Sequence, residues 1–180
     1  MSARENNREV LHEGRWLRFV REQGWEFIEH RDVRGIAVII AVTRDQHLLL
    51  VEQIRIPLGG RVIELPAGLV GDGVERQNED FAEAAKRELL EESGYSAKRM
   101  KPVFSGPMSP ARSTDKYSFF LADGLCRENA GGGDETEDIQ VHTVPLAGIH
   151  AWLREKREQG FFIDPKIYVG LYVLEHPEVV

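Results

Sequence analysis

Arg87-Glu88-Leu89-Leu90-Glu91-Glu92-Ser93-Gly94-Tyr95 is the stretch whose reading decides the fold. It closes a helical run that begins at Phe81, and Gly94 suits the position just past a helix end, where the backbone turns left-handed. Phe81, Ala85 and Leu89 recur every four residues and mark a core-facing stripe. Glu88, Glu91 and Glu92 fall at i, i+3 and i+4, so they project together from the other side. Like charges at that spacing repel by about 0.2–0.5 kcal/mol per pair. An acidic helix edge is often merely solvated. The same grouping also offers oxygen ligands to Mg²⁺, a cation that commonly shares them with substrate phosphates.

Working outward, Asn78 is a candidate N-cap, with Glu79 and Asp80 in the first helical turn. Residues 69–78, next to Gly68 and containing Gly71 and Gly73, read as a loop. Residues 61–65 read as a strand stopped by Pro66-Ala67-Gly68, and residues 47–55 as another, after a turn at 43–46. The apolar, β-branched run 36–42 suggests a strand buried on both faces. Within residues 9–30, two short extended segments flank Gln23-Gly24, and the second places Trp25 and Phe27 on one face. Downstream, segments 101–105, 116–122 and 139–144 are extended, and 146–159 and 166–175 are helical. Several strands mixed with few helices imply an α+β chain with a mixed sheet, not a doubly wound one.

The 180 residues suffice for one compact domain. No apolar run reaches the roughly 20 residues of a membrane span, and the polar N-terminus lacks a signal-peptide core. Cys126 is the single cysteine, so a reducing, cytoplasmic setting is expected. A net charge of −7 argues against general nucleic-acid binding. It would also repel a phosphate substrate unless cations were held locally. The six histidines lack zinc-site spacing, and no nucleophile–base or P-loop pattern occurs. Water is the expected nucleophile.

The segment 87–95, with Glu79 eight residues before Arg87, resembles the Nudix box. Gly73 satisfies the literal spacing of its first glycine. Glu64-Leu65-Pro66-Ala67-Gly68 resembles the family's strand end, and on that preferred alignment Gly68 is the box glycine and the loop carries five extra residues. The resemblance implies the Nudix fold, a mixed β-sheet between α-helices. It further implies that Glu88 and Glu92 are metal ligands, with Glu91 a ligand directly or through water and Ala67 one through its carbonyl oxygen. The metal would be Mg²⁺ or Mn²⁺. Arg87 would hold the carboxylates in place and pair with Glu79.

Other features resemble the branch that cleaves ADP-ribose and nucleoside diphosphate sugars. Pro110 lies fifteen residues after Tyr95, like that branch's marker proline, although the residues after it depart from the usual pattern. Arg55 resembles the arginine sent towards the diphosphate, a job suited to a guanidinium fork; an ion pair with Glu52 or another acid is the plainer alternative. Glu64 would contact substrate as well. Gly131-Gly132-Gly133 reads as a mobile loop leading to Glu135 and Glu137, which would be general base and metal ligand, or the reverse. The resemblance divides the chain into an N-terminal hairpin, residues 1–34, at the interface of a homodimer, and a Nudix domain, residues 35–180. Across that interface Trp25 and Phe27 would stack on the base; packing within the sheet is the alternative. Dinucleoside polyphosphates, nucleoside triphosphates and capped RNA are other substrates within the family. A sensor domain that binds ADP-ribose without turnover is the rival of another kind.

Overall fold

Residues 7–133 and 138–179 are described by a computed structural model. Segment 134–137, with Glu135 and Glu137, lies outside the described residues. Three strands open the chain: β1 (Arg8–Glu13), β2 (Leu17–Glu22) and β3 (Trp25–His30), an antiparallel sheet in the order β1-β2-β3. Gln23 and Gly24 join β2 to β3 with φ of 52° and 84°, the paired positive values of a tight hairpin turn. The expected hairpin is therefore a three-stranded sheet. Its first strand is largely exposed, so it lacks the apolar alternation that identifies a strand in sequence.

Then follow β4 (Gly35–Ala41), β5 (His47–Arg55), β6 (Gly60–Glu64), β7 (Ala67–Val70) and α1 (Phe81–Ser93). The remainder is β8 (Tyr95–Ser96), β9 (Arg99–Pro107), β10 (Lys116–Asp123), β11 (Cys126–Arg127), β12 (Gln140–Pro145), α2 (Ile149–Glu158), β13 (Phe162–Ile163) and α3 (Lys166–Glu175). Two mixed four-stranded sheets result. One runs β7-β4-β10-β9, with β4 and β10 parallel; the other runs β12-β5-β6-β13, with β6 and β13 parallel. Among the described residues, no helix is long and apolar enough to cross a membrane.

Strand β4 is buried along its whole length because its alternate side chains enter two cores. Ile36, Val38 and Ile40 join Leu48, Leu50, Ile63, Leu153 and Ile167, whereas Ala37, Ile39 and Ala41 meet Ala84, Ala85 and Leu89 of α1. The small alanines let α1 lie close over this sheet.

Two local expectations change. Residues 67–70 are strand, not loop: Ala67 pairs with Val38 and Val70 with Gly35. Pro66 lies where the chain crosses from one sheet to the other, and its carbonyl accepts a hydrogen bond from the Ile39 amide. The N-cap of α1 is Asp80, not Asn78; its carboxylate accepts from the Ala82 amide at 2.8 Å. Glu79 precedes the helix, and its side chain is committed elsewhere.

Glu52 is 3% exposed on β5 and collects three basic side chains. Arg61 Nε lies 2.5 Å away, His142 Nε2 2.8 Å and Lys156 Nζ 3.6 Å. Burial alone would raise the Glu52 pKa, but the hydrogen bonds from His142 and Arg61 and the Lys156 charge outweigh it and hold it below its usual value. Glu52→Gln should cost about 2 kcal/mol, the scale of a lost hydrogen bond to a charged group, because Arg61 still reaches water. That corresponds to a thermal midpoint lower by about 4–8 °C. A depressed carboxylate pKa contributes stability above its unfolded value, about 4.3, and loses it as pH falls through the folded value. The gap between wild type and variant should therefore narrow below about pH 4. Melts that differ equally at pH 3 and pH 7, or do not differ at all, would show that Glu52 does not stabilise the fold as an anion.

Candidate active site

The box carboxylates lie along one face of α1, and the loop before it turns back under them. Glu92 is 4% exposed, and its Oε2 accepts from the Ala67 amide at 3.0 Å. Glu88 is half-buried and lies directly over Gly68: a methyl placed there would sit 1.9 Å from the Glu88 carboxyl carbon. Nothing lies within 4 Å of the same methyl on Gly73. The close approach of backbone to carboxylate is therefore at Gly68, which agrees with the alignment that places extra residues in the loop. Glu91 is the exposed member of the three.

Arg87 ties this face together. It bonds both oxygens of Glu79, at 2.9 and 3.1 Å, and its Nη1 reaches Glu88 at 2.7 Å and Glu91 at 3.0 Å. Nη2 also donates to the Leu69 carbonyl. Burial alone would lower the Arg87 pKa, but Glu79 and Glu88 raise it well beyond the ordinary value, so it stays a cation. Those same contacts hold the Glu79 pKa down.

Glu88, Glu91, Glu92, Ala67, Gly68 and Arg87 line one wall of a cleft of about 760 Å³, a size that suits a nucleotide. Arg55, Glu64, Tyr117 and Lys166 line it as well. Arg55 grips Glu64 with two bonds, Nε–Oε1 at 2.9 Å and Nη2–Oε2 at 2.5 Å, and Gln53 adds a third contact to the same carboxylate. The partner of Arg55 is thus Glu64 and not Glu52, which lies on the opposite face of β5 with Arg61. Lys166 is held by Asp164 and lies over the Tyr117 ring at 5.4 Å. Burial pushes the Tyr117 hydroxyl pKa up, so it remains a neutral donor.

Trp25, Phe27 and Pro110 come together too, but elsewhere. They line a shallow groove with Glu22, Gln23, Ala111, Ser113 and Thr114, and this groove shares no residue with the cleft. Strand β3 is fastened there by the Ile28 amide on the Arg112 carbonyl and by His30 on Asp115 at 2.8 Å.

The glycines before the acidic segment are docked, contrary to the expected mobile loop. The Gly132 amide donates to the Glu92 carbonyl and the Gly133 amide to the Glu91 carbonyl, at 2.9 and 3.0 Å. They satisfy carbonyls that a helix end leaves without partners. A methyl on Gly131 would come within 2.4 Å of the Ser93 backbone, so only glycine fits.

The donors on the α1 face are all oxygens, which fits a hard divalent cation better than zinc. Among the described residues, no three acidic, histidine or cysteine groups enclose a single ion. The carboxylates form a row, suited to cations completed by water and phosphate oxygens. Sequence reasoning did not single out Asp72, Arg76 and Tyr117 as lining the cleft, and it took Lys166 only as the start of a helix. Arg76 and Asp72 sit in the loop that the alignment lengthens by five residues, to which no role was assigned.

Comparison with known proteins agrees with this geometry. The model of the NUDIX domain matches residues 33–162. The methanol dehydrogenase activator of Bacillus methanolicus is 32% identical over 147 residues, covering 81% of this chain and 75% of that one. A GDP-mannose pyrophosphatase of Pectobacterium atrosepticum is 33% identical over 131 residues, covering 68% of this chain and 65% of that one. The ADP-ribose pyrophosphatase of Bacillus subtilis is 33% identical over 122 residues, covering 67% and 62%. The matched segment is thus less than two thirds of either pyrophosphatase. A solved ADP compounds hydrolase superposes with a TM-score of 0.69 at 23% identity, covering 94% of this chain and 90% of that one, which establishes a shared fold. Box, fold and family model coincide on the same residues, and the chain belongs to the Nudix family.

Proposed function

We propose that this Nudix protein hydrolyses the diphosphate linkage of ADP-ribose or a nucleoside diphosphate sugar, releasing a nucleoside monophosphate and a phosphosugar. One observation carries the reading: the α1 carboxylates and the Arg55–Glu64 pair line a single nucleotide-sized cleft. The pyrophosphatase relatives, acting on GDP-mannose and on ADP-ribose, support the substrate class.

Glu88, Glu91, Glu92 and the Ala67 carbonyl would hold divalent cations, Mg²⁺ or Mn²⁺, which would supply charge neutralisation and make the attacking water more acidic. Arg55, positioned beside the site by Glu64, exchanges part of that grip for a nonbridging phosphate oxygen. Arg87 keeps the carboxylates from splaying apart. Glu135 takes the proton of the attacking water, with Glu137 a further ligand. The docking of Gly132 and Gly133 on the carbonyls of Glu92 and Glu91 supports this assignment. Wild type and Glu135→Gln should be screened with ADP-ribose, nucleotide sugars and dinucleotides, with each metal. Turnover of the first two classes, and loss of kcat in the variant with little change in KM, is the expected result. Tight binding without turnover would make the domain a sensor instead.

A homodimer accounts for the separation of groove and cleft. Because Trp25, Phe27 and Pro110 line a groove that shares no residue with the cleft of their own chain, they would reach the base by lying over a partner's cleft, with segment 1–34 as the interface element. Sedimentation at micromolar concentration should give twice the 20.4 kDa chain mass. A fully active monomer would remove this role from the aromatics.

A further inference from the structure

We propose that Arg76 is a substrate-binding residue, delivered by the extra loop residues before α1 to hold a phosphate oxygen of the bound nucleoside diphosphate. The assignment rests on the hydrolase reading above. Five groups that can carry positive charge line the cleft: His30, Arg55, Arg76, Arg87 and Lys166. Four are already engaged. Arg55 pairs with Glu64, Arg87 with Glu79, Glu88 and Glu91, Lys166 with Asp164, and His30 with Asp115. Among the described residues, Arg76 alone of the five makes no ion pair within 4.0 Å.

That difference matters energetically. An anion taken by Arg55 or Arg87 competes with a carboxylate already in place, and part of the attraction is spent on the exchange. Arg76 is exposed and meets an incoming phosphate with no partner to displace. Its charge is felt at the site, since it helps to lower the pKa of Glu79, the carboxylate that anchors Arg87. Its backbone is fixed on both sides: the Arg76 amide donates to the Gly73 carbonyl at 3.2 Å, and the Glu79 amide to the Arg76 carbonyl at 2.8 Å. Arg76 therefore stands on a short 3₁₀ turn, Val74–Arg76, whose bonds hold it at the rim of the carboxylate row. The insertion thus adds a cation beside a site whose own charge is strongly negative.

Steady-state kinetics of Arg76→Ala, Arg76→Glu and Arg76→Lys with ADP-ribose and Mg²⁺ test the assignment. Losing a charge-assisted hydrogen bond should raise KM by about ten-fold in Arg76→Ala. The larger part of the change should fall on KM rather than kcat, the pattern of a contact made in ground and transition states alike. Arg76→Glu should bind more weakly still, Arg76→Lys should recover most of the affinity, and thermal midpoints should stay at the wild-type value. Wild-type turnover with an unaltered KM in both Arg76→Ala and Arg76→Glu would overturn the assignment and leave the hydrolase reading intact. Wild-type protein that turns over no nucleoside diphosphate compound would overturn the hydrolase reading and this assignment with it.

Discussion

Glu92→Gln is expected to lower kcat by roughly 10²–10³-fold, the scale seen when one preorganised electrostatic contact to a transition state is lost. The side chain is buried, so the first concern is folding. A carboxamide keeps an oxygen for the Ala67 amide, which Glu92 now accepts at 3.0 Å, and it relieves repulsion from Glu88 one turn away. The thermal midpoint should stay within a few degrees of wild type or rise. What the variant loses is a negative oxygen on the face proposed to meet cations and diphosphate. Glu91→Gln is the companion measurement, because Glu91 is exposed and its replacement does not endanger the core. If both variants turn over substrate at the wild-type rate with saturating metal, the α1 carboxylates are not the catalytic ligands.

Gly68→Ala should be almost as damaging, by a different route. The added methyl would lie 1.9 Å from the Glu88 carboxyl carbon and 2.1 and 2.3 Å from its oxygens. No such contact survives, and the part free to move is the end of the Glu88 side chain. Its carboxylate must swing off the backbone, a displacement of more than 1 Å. Misplacements of that size cost about 10²-fold in rate. Stability should barely change, since Gly68 lies in strand β7 without the positive φ that penalises alanine. Gly73→Ala is the contrasting control: φ is 82° there but the space is open, so modest strain and near-normal kcat are expected. The opposite outcome, an inactive Gly73→Ala and an active Gly68→Ala, would restore the literal spacing of the box.

Where the apolar pattern is strong, the chain could be read directly. Residues 47–55 and 166–175 are the bounds of β5 and α3, and the Phe81 start and Gly94 end of α1 follow from its stripe and its glycine. Strands β8, β11 and β13 have two residues each and no period to detect. Strands β8 and β11 pair with each other, and β13 adds to the edge of β6, so all three depend on partners distant in sequence. The glycine run 131–133 misleads for a related reason. Glycine permits mobility in isolation, but here the run contacts the end of α1, and at Gly131 any side chain would block that approach.

By itself the sequence determined the carboxylate row and its Arg87 anchor, because helical spacing is local and α1 needs no other element to bring Glu88, Glu91 and Glu92 to one side. It also determined the burial of β4, whose every residue is apolar or glycine. Only the tertiary structure decided which acid Arg55 holds. Both Glu52 and Glu64 were within reach on paper, and the register of β5 against β6 puts Gln53 and Arg55 on the Glu64 face and Glu52 on the other. The tertiary structure likewise put Arg76 in the cleft and Trp25, Phe27 and Pro110 in a separate groove. Those placements depend on how distant segments stack and on what each side chain finds there, and local periodicity carries no record of either.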